Sequence, residues 1–157
     1  MRLVSSAFEQ GQPIPRRFTC EGENISPEFS WEDAPKEAKE FALILHDPDA
    51  PGLKGFTHWL LYGIPPIVAR VQENTSKEAK VANLGLQGQN DAGKLGYTGP
   101  CPPSGTHRYF ARLYALRKEI GLKAGANAQE VKAAIEDIVI EEAELMGTYA
   151  KQQAKSA

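Results

Sequence analysis

The chain has 157 residues, of which 41% are hydrophobic and 24% are charged, and its formal net charge is −2 at pH 7. These proportions are typical of globular proteins and argue against wholesale disorder. The acidic balance argues against a general nucleic-acid binder, which would present a basic surface. We expect one domain over residues 1–157, large enough to form a core without a metal or a disulfide.

The ends of the chain and its cysteines bear on where the protein resides. The N-terminus, MRLVSSAFEQ, lacks the basic and then apolar layout of a signal peptide, and no apolar run is long enough to span a membrane. We therefore expect a cytoplasmic protein without a transmembrane segment. Cys20 and Cys101 are far apart in the sequence and form no CxxC pair. In the cytoplasm, two reduced thiols are the expectation.

Short strands separated by turns are predicted in the first half of the chain. Prolines and glycines punctuate residues 13–35 and leave room only for short extended pieces. The apolar run FALIL, residues 41–45, is too short for an independent helix and predicts a buried strand. A second strand is predicted over residues 58–62, and a turn-rich loop over residues 47–55 separates the two.

The second half combines a long loop with a well-defined strand. Residues 72–105 are rich in Gly, Asn, Gln and Ser, which predicts that much of this segment is loop. The segment HRYFARLYAL, residues 107–116, alternates, so that Tyr109, Ala111 and Leu113 face one side of a predicted strand.

The end of the chain follows a helical pattern. Asn127 can cap a helix whose third position is Glu130. Beyond this cap, apolar residues recur at helical spacing: Val131, Ala134, Ile135, Ile138, Leu145, Met146 and Tyr149. The pattern predicts an amphipathic helix on a β body, and the chain as a whole predicts a mainly β, sandwich-like domain.

Three histidines are the strongest candidates for a functional site. His46, His58 and His107 each lie at an end of a predicted strand, beside a Gly/Pro-rich loop. Strand ends can converge on one rim of a sandwich, where sites tend to form. Because His46 and Asp47 are adjacent in an extended strand, their side chains point to opposite faces, and at most one of them faces a pocket.

Two catalytic alternatives use the same residues. His58, His107 and Asp47 could form a facial triad for iron or zinc, although the sequence has no HExxH and no H-x-H spacing. Cys101 and His107 could form a nucleophile and base, but a cysteine between two prolines fits a turn residue better. Ser104 lies near His107 without a GxSxG motif, and no P-loop or dinucleotide fingerprint is present.

Three motifs in this order resemble the phosphatidylethanolamine-binding protein family, also called Raf kinase inhibitor-like proteins. They are DPDAP at 47–51, GFTHWLLYGIP at 55–65 and GPCPPSGTHRYFARLYAL at 99–116, and EEAELMGTYA near the end fits as well. The resemblance is closest to the bacterial branch and runs nearly the whole length. It implies a Greek-key β-sandwich with a C-terminal helix and a small anion-binding pocket at one end.

The resemblance assigns the pocket to eight residues by motif: Asp47, Ala50, Pro51, His58, Gly99, Pro100, His107 and Tyr109. Imidazoles, a phenol and backbone N–H groups of the Gly/Pro turn are suitable donors to a phosphate. Asp47 would orient and charge a histidine or accept from an amine headgroup. Arg108 alternates away from the pocket and is expected to pair with an acid. His46 receives no ligand role.

These observations predict a non-enzymatic binding protein with no cofactor and no metal. Its expected ligand carries a phosphate, either as a phospholipid headgroup, a phosphorylated small molecule or a phosphorylated side chain. The family name also suggests regulation of a kinase or signalling partner, and the family suggests a homodimer. The alternative from another class is a metal-dependent or Cys/His hydrolase that uses the same pocket residues.

Overall fold

The computed structural model describes residues 1–152, so residues 153–157 of the predicted domain lie outside the described part. In the first half of the chain the strands are β1 (Arg2–Val4), β2 (Phe29–Glu32), β3 (Glu40–Asp47) and β4 (Phe56–Ile64), with a 3-10 helix at Arg16–Phe18 between β1 and β2. In the second half they are β5 (Arg70–Val71), β6 (Lys80–Val81), β7 (Gly85–Gln87), β8 (Thr106–Leu116) and β9 (Val139–Ala150), with helix α1 at Ala128–Ile135.

The strands form two antiparallel sheets that pack face to face. The smaller sheet has the order β1-β2-β5, and the larger has the order β6-β7-β4-β3-β8-β9. The main core lies between them, where alternate residues of β3 and β8 are fully or almost fully buried. The opposite face of the larger sheet packs against Val131 and Ile135 of α1. The predicted mainly β sandwich is therefore confirmed.

The strands predicted from local patterns are present. The FALIL run is the buried centre of β3, and residues 58–62 lie within β4. In β8 the predicted alternation is confirmed, because Tyr109, Ala111 and Leu113 are fully buried in the core while Phe110 and Arg112 are half-buried on the other face.

The predicted C-terminal helix is confirmed but is shorter than expected. The Asn127 side chain accepts from the Glu130 N–H, and the Glu130 carboxylate accepts from the Asn127 N–H, which forms the capping box. The helix ends at Ile135, and Ile138 lies in the turn that follows it. The extension of the apolar stripe to Leu145, Met146 and Tyr149 is wrong. Those residues lie in β9, which pairs with β8 along its length.

The reason for this difference lies in the period of the buried positions. Within β9, Ala143, Leu145, Gly147 and Tyr149 are buried at every second residue. Many residue types in this segment have a weak local preference for a helix. The pairing of the segment with β8 and its packing on the core outweigh that preference, so it forms a strand.

We expect Leu113→Ala to lower the free energy of unfolding by about 2–5 kcal/mol, because it opens a cavity in the main core. Leu113 is 0% exposed, whereas Leu53 is fully exposed in a loop and provides the matched control Leu53→Ala. Urea unfolding followed by fluorescence measures both. A loss of stability no larger in Leu113→Ala than in the control would contradict the position of the core.

Candidate functional site

Three central strands of the larger sheet bring their polar ends to one edge. β3 ends at Asp47, and its antiparallel neighbours β4 and β8 begin there, at Phe56 and Thr106. A pocket of about 250 Å³ lies at this edge, between the 47–55 loop and the proline-rich loop that precedes β8. Because strands of alternating direction share the edge, residues distant in sequence meet there.

The pocket gathers the predicted residues with one exception. Every predicted pocket residue except Pro100 lines it. Pro100 is buried beside the pocket, and its carbonyl accepts a hydrogen bond from the Cys20 N–H at 3.1 Å. Five further residues line the pocket beyond those that the family motifs assign to it: Phe56, Thr98, Cys101, Pro102 and Pro103. Of these, the sequence singles out only Cys101, as the nucleophile of the hydrolase alternative. Pro102 and Pro103 belong to the GPCPPSGTH segment, and the concentration of prolines next to His107 is the sequence feature that indicates a pocket wall there.

An irregularity in β4 turns His58 toward the pocket. Leu45 pairs with Trp59, but the next residue, His46, pairs with Thr57, so that β4 carries one extra residue at His58. Without this bulge, alternation would place His58 on the opposite face from the core residue Trp59. Bulges of this kind often redirect a side chain toward a functional site. His46 stays outside the pocket, where its Nδ1 lies 2.9 Å from Thr57 Oγ1.

Asp47 and His107 form a buried pair. The Asp47 Oδ2 atom lies 2.7 Å from His107 Nδ1, and Asp47 Oδ1 accepts from the Asp49 N–H at 2.7 Å. The carboxylate therefore orients the imidazole, which is the first of the two roles expected for it. Asp47 is bonded to the Nδ1 atom of His107, so it acts as a partner of that imidazole and not as a third ligand beside His58 and His107. The three predicted metal ligands therefore do not assemble as a facial triad. Within residues 1–152, no group of three His, Cys, Asp or Glu side chains is arranged to hold a metal.

His58 and Tyr109 complete the polar lining. His58 Nδ1 lies 2.8 Å from the Thr98 carbonyl oxygen, and burial lowers the pKa of this histidine to about 4. Tyr109 is fully buried, and its Oη makes no hydrogen bond of ordinary geometry among the described residues, although it lies beside the Asp47 carboxylate. Burial, followed by the nearby Asp47 carboxylate, raises the pKa of Tyr109. Both rings are thus neutral at pH 7.

Arg108 points away from the pocket, as expected. Its guanidinium makes two hydrogen bonds of 2.9 Å to the Asp49 carboxylate, and its backbone N–H makes a third. These bonds hold the pKa of Asp49 at about 2. The pair fastens the 47–55 loop to the start of β8, so Arg108 contributes to the position of the pocket wall rather than to its lining.

The wall formed by the proline-rich loop is fastened to the segment around the 3-10 helix. Cys20 and Cys101 form a disulfide, so the expectation of reduced thiols is wrong for this structure. The Tyr97 hydroxyl donates to the Phe18 carbonyl at 2.5 Å. The Gly99 N–H donates to Asn24 Oδ1 at 2.7 Å, and a Cβ at Gly99 would lie only 2.3 Å from the Phe18 carbonyl oxygen. Only glycine fits so close an approach.

This fastening changes two expectations about chemistry. Backbone N–H groups of the Gly/Pro turn are expected donors to a ligand, but the Gly99 N–H is bonded to Asn24, and prolines have no N–H to donate. The Cys101 sulfur is bonded to Cys20, so it presents no thiol to His107 as a nucleophile.

Comparison with known proteins shows the family. The sequence profile of the family described as phosphatidylethanolamine-binding protein matches residues 4–150, and the chain belongs to this family. A UPF0098 protein from Methanothermobacter thermautotrophicus is 50% identical over 149 residues, which cover 95% of this chain and 98% of the relative. A UPF0098 protein from Aquifex aeolicus is 41% identical over 152 residues, with 95% and 88% covered.

Solved structures show the same fold. The phosphatidylethanolamine-binding protein homolog CT736 from Chlamydia trachomatis superposes with a TM-score of 0.87 at 39% identity, covering 96% of this chain and 97% of that one. YbcL from E. coli, described as a member of the mammalian PEBP family, superposes with a TM-score of 0.90 at 29% identity, covering 96% and 98%. The predicted family and its Greek-key sandwich are confirmed. Within residues 1–152, no helix is long and apolar enough to cross a membrane.

We expect Cys20→Ser/Cys101→Ser to lower the free energy of unfolding by about 4 kcal/mol, because the disulfide closes a long loop in the unfolded chain. The two cysteines are 81 residues apart. Denaturant unfolding of the wild type with and without a reductant, beside the double variant, measures this loss. If the reductant destabilised the variant as much as the wild type, the effect would not come from this bond.

We expect the free energy of unfolding to fall by up to about 3 kcal/mol between pH 7 and pH 4 through His58 alone. The unfolded chain protonates this ring near pH 6.5, whereas the folded protein does so only near pH 4, so acid favours the unfolded state. Urea unfolding at several pH values, for wild type and His58→Gln, isolates this component as the difference between the two profiles. Identical profiles would contradict the buried, neutral state of His58.

Proposed function

We propose that this protein is a non-enzymatic binding protein whose pocket, between His58 and His107, takes a small phosphate-bearing ligand. The observation that carries the proposal is the convergence of the His58 and His107 imidazoles on one small pocket, each held through its Nδ1 atom by a contact within the protein. Each ring therefore has its Nε2 atom left to contact a ligand. Membership in a family of binding proteins supports the same reading.

The size and lining of the pocket support a small ligand. Its volume of about 250 Å³ suits a headgroup-sized molecule or a phosphorylated side chain better than an acyl chain. The lining combines Tyr109 and two imidazoles with Ala50, Pro51 and other apolar groups. A few polar groups set in apolar walls are characteristic of sites that fix the orientation of a ligand.

Partners and location remain predictions. Regulation of a kinase or signalling partner, and a homodimer, are suggested by the family name and the family alone. The Cys20–Cys101 disulfide argues against the cytoplasmic location expected from the sequence, because disulfides are more typical of proteins in oxidising compartments.

We expect phosphoethanolamine to bind with a millimolar or lower dissociation constant and His107→Ala to weaken it about tenfold or more, because the variant removes a polar contact and leaves Asp47 unpaired. Isothermal titration calorimetry measures both constants. The matched control is His46→Ala, since His46 lies at the same sheet edge but does not line the pocket. Undetectable binding of both phosphoethanolamine and inorganic phosphate at millimolar concentration, or an equal loss in the control, would overturn the proposal.

A further inference from the structure

The position of the proton on His58 is fixed by a backbone carbonyl. His58 Nδ1 lies 2.8 Å from the Thr98 carbonyl oxygen, and the Thr98 N–H in turn donates to the His58 carbonyl oxygen at 3.1 Å. A carbonyl oxygen only accepts hydrogen bonds, so Nδ1 must carry the proton. In the neutral ring, Nε2 then holds a lone pair and can act only as an acceptor.

The surroundings keep this ring neutral. His58 is 5% exposed, and its ring lies 4.7 Å from the Phe56 ring and 5.3 Å from the Tyr109 ring, centre to centre. Burial is the largest influence on its pKa and lowers it to about 4. The remaining charged and titratable groups that act on it are weaker: Asp47 and Asp91 favour the charged ring, and His46 opposes it.

Tyr109 and His107 also line the pocket. Burial and the neighbouring Asp47 carboxylate keep the Tyr109 hydroxyl protonated, and this hydroxyl lies beside Asp47. His107 Nδ1 bonds to Asp47 at 2.7 Å, which leaves its Nε2 for a ligand. Within residues 1–152, no lysine or arginine side chain lines the pocket. An oxyanion therefore meets hydrogen-bonding groups there and no permanent positive charge.

Resting on the proposed anion site, we propose that the pocket selects oxyanions that carry their own proton. Hydrogen phosphate, or a phosphomonoester in its monoanionic form, can donate its P–OH to His58 Nε2. Sulfate and phosphodiesters have no proton to donate at neutral pH. They would place an oxygen lone pair against the His58 lone pair, or would require protonation of His58. Because the pKa of His58 is about 4, the neutral ring outnumbers the protonated ring by about a thousand to one at pH 7.

The inference narrows the ligand class within the proposed function. The phosphate of an intact phospholipid headgroup is a diester, whereas a phosphorylated small molecule or side chain is a monoester. A monoester has its second pKa near 6, so its proton-bearing form is readily available at neutral pH. The pocket thus favours monoesters and inorganic phosphate over the headgroup of an intact lipid.

The test compares anions of matched shape at pH 7. Inorganic phosphate and sulfate are both tetrahedral, and they differ in the proton. Phosphoethanolamine and glycerophosphoethanolamine form the corresponding monoester and diester pair. We expect the protonated member of each pair to bind about 10- to 100-fold more tightly in calorimetric titrations, the range expected for one hydrogen bond to a charged group.

The outcomes separate this inference from the proposed function. If sulfate and the diester bind as tightly as phosphate and the monoester, the selectivity is wrong while the anion site stands. If none of the four binds at millimolar concentration, the proposed function itself fails. Tighter binding of the diester than of the monoester would overturn the inference and favour a lipid headgroup.

A variant and a spectroscopic measurement address His58 directly. His58→Gln replaces the acceptor with an amide that can turn its N–H toward the ligand, so the preference for phosphate over sulfate should fall to within about threefold. His46→Gln, at the neighbouring position outside the pocket, should keep the full preference. If the His58 variant does not fold, long-range ¹H–¹⁵N NMR of the wild type still reports the tautomer. A His58 proton on Nε2 at pH 7 would overturn the inference.

Discussion

A buried carboxylate at the end of β3 is the constraint around which the pocket is organised. Asp47 is 2% exposed, and an isolated charge at such a depth would cost several kcal/mol. Its two oxygens are satisfied from two directions, by the His107 ring and by the Asp49 N–H. The first bond fixes the start of β8 against the end of β3, and the second bends the chain into the loop that forms the facing wall. Neither wall could move independently without leaving this carboxylate unpaired.

The second wall depends on a different kind of connection. The proline-rich loop has few amides to donate, so regular strand pairing cannot hold it, and it is fixed instead by contacts that reach across the sequence. The Cys20–Cys101 disulfide, the Tyr97 hydroxyl and the Gly99 amide all connect it to the segment around the 3-10 helix. The prolines limit the conformations of the loop itself, and the connections limit its position. The two effects together fix the position of this pocket wall.

Much of this arrangement follows from the sequence, because it depends on patterns with a local cause. Alternation in β8 separates Tyr109 from Arg108, and adjacency separates Asp47 from His46, so at most one member of each pair faces the pocket, and the family motifs indicate which one. The Asn127 capping box is equally local. Seven of the predicted pocket positions come together because their motifs lie at strand ends that antiparallel pairing brings to one edge.

What the sequence does not reveal depends on the register between strands or on distant contacts. The bulge that turns His58 inward is visible only as a shift in pairing between β3 and β4. The disulfide joins residues 81 positions apart, and neither cysteine carries a local signal of its partner. The residues of β9 also suit a helix. Their pairing with β8 makes the buried positions recur at every second residue rather than at helical spacing.

The chemical character of the pocket follows from these same constraints. Arg108 alternates outward and is bonded to Asp49, so it fixes the wall and does not face a ligand. Among residues 1–152, no lysine or arginine side chain lines the pocket. A pocket without a facing cation cannot hold an anion by charge alone, and its burial strengthens each hydrogen bond that it does offer. In the binding proposed above, the number and direction of protons decide which ligand fits. The Thr98 carbonyl, which fixes one of those protons on His58, therefore influences recognition although its own oxygen is already bonded to the ring.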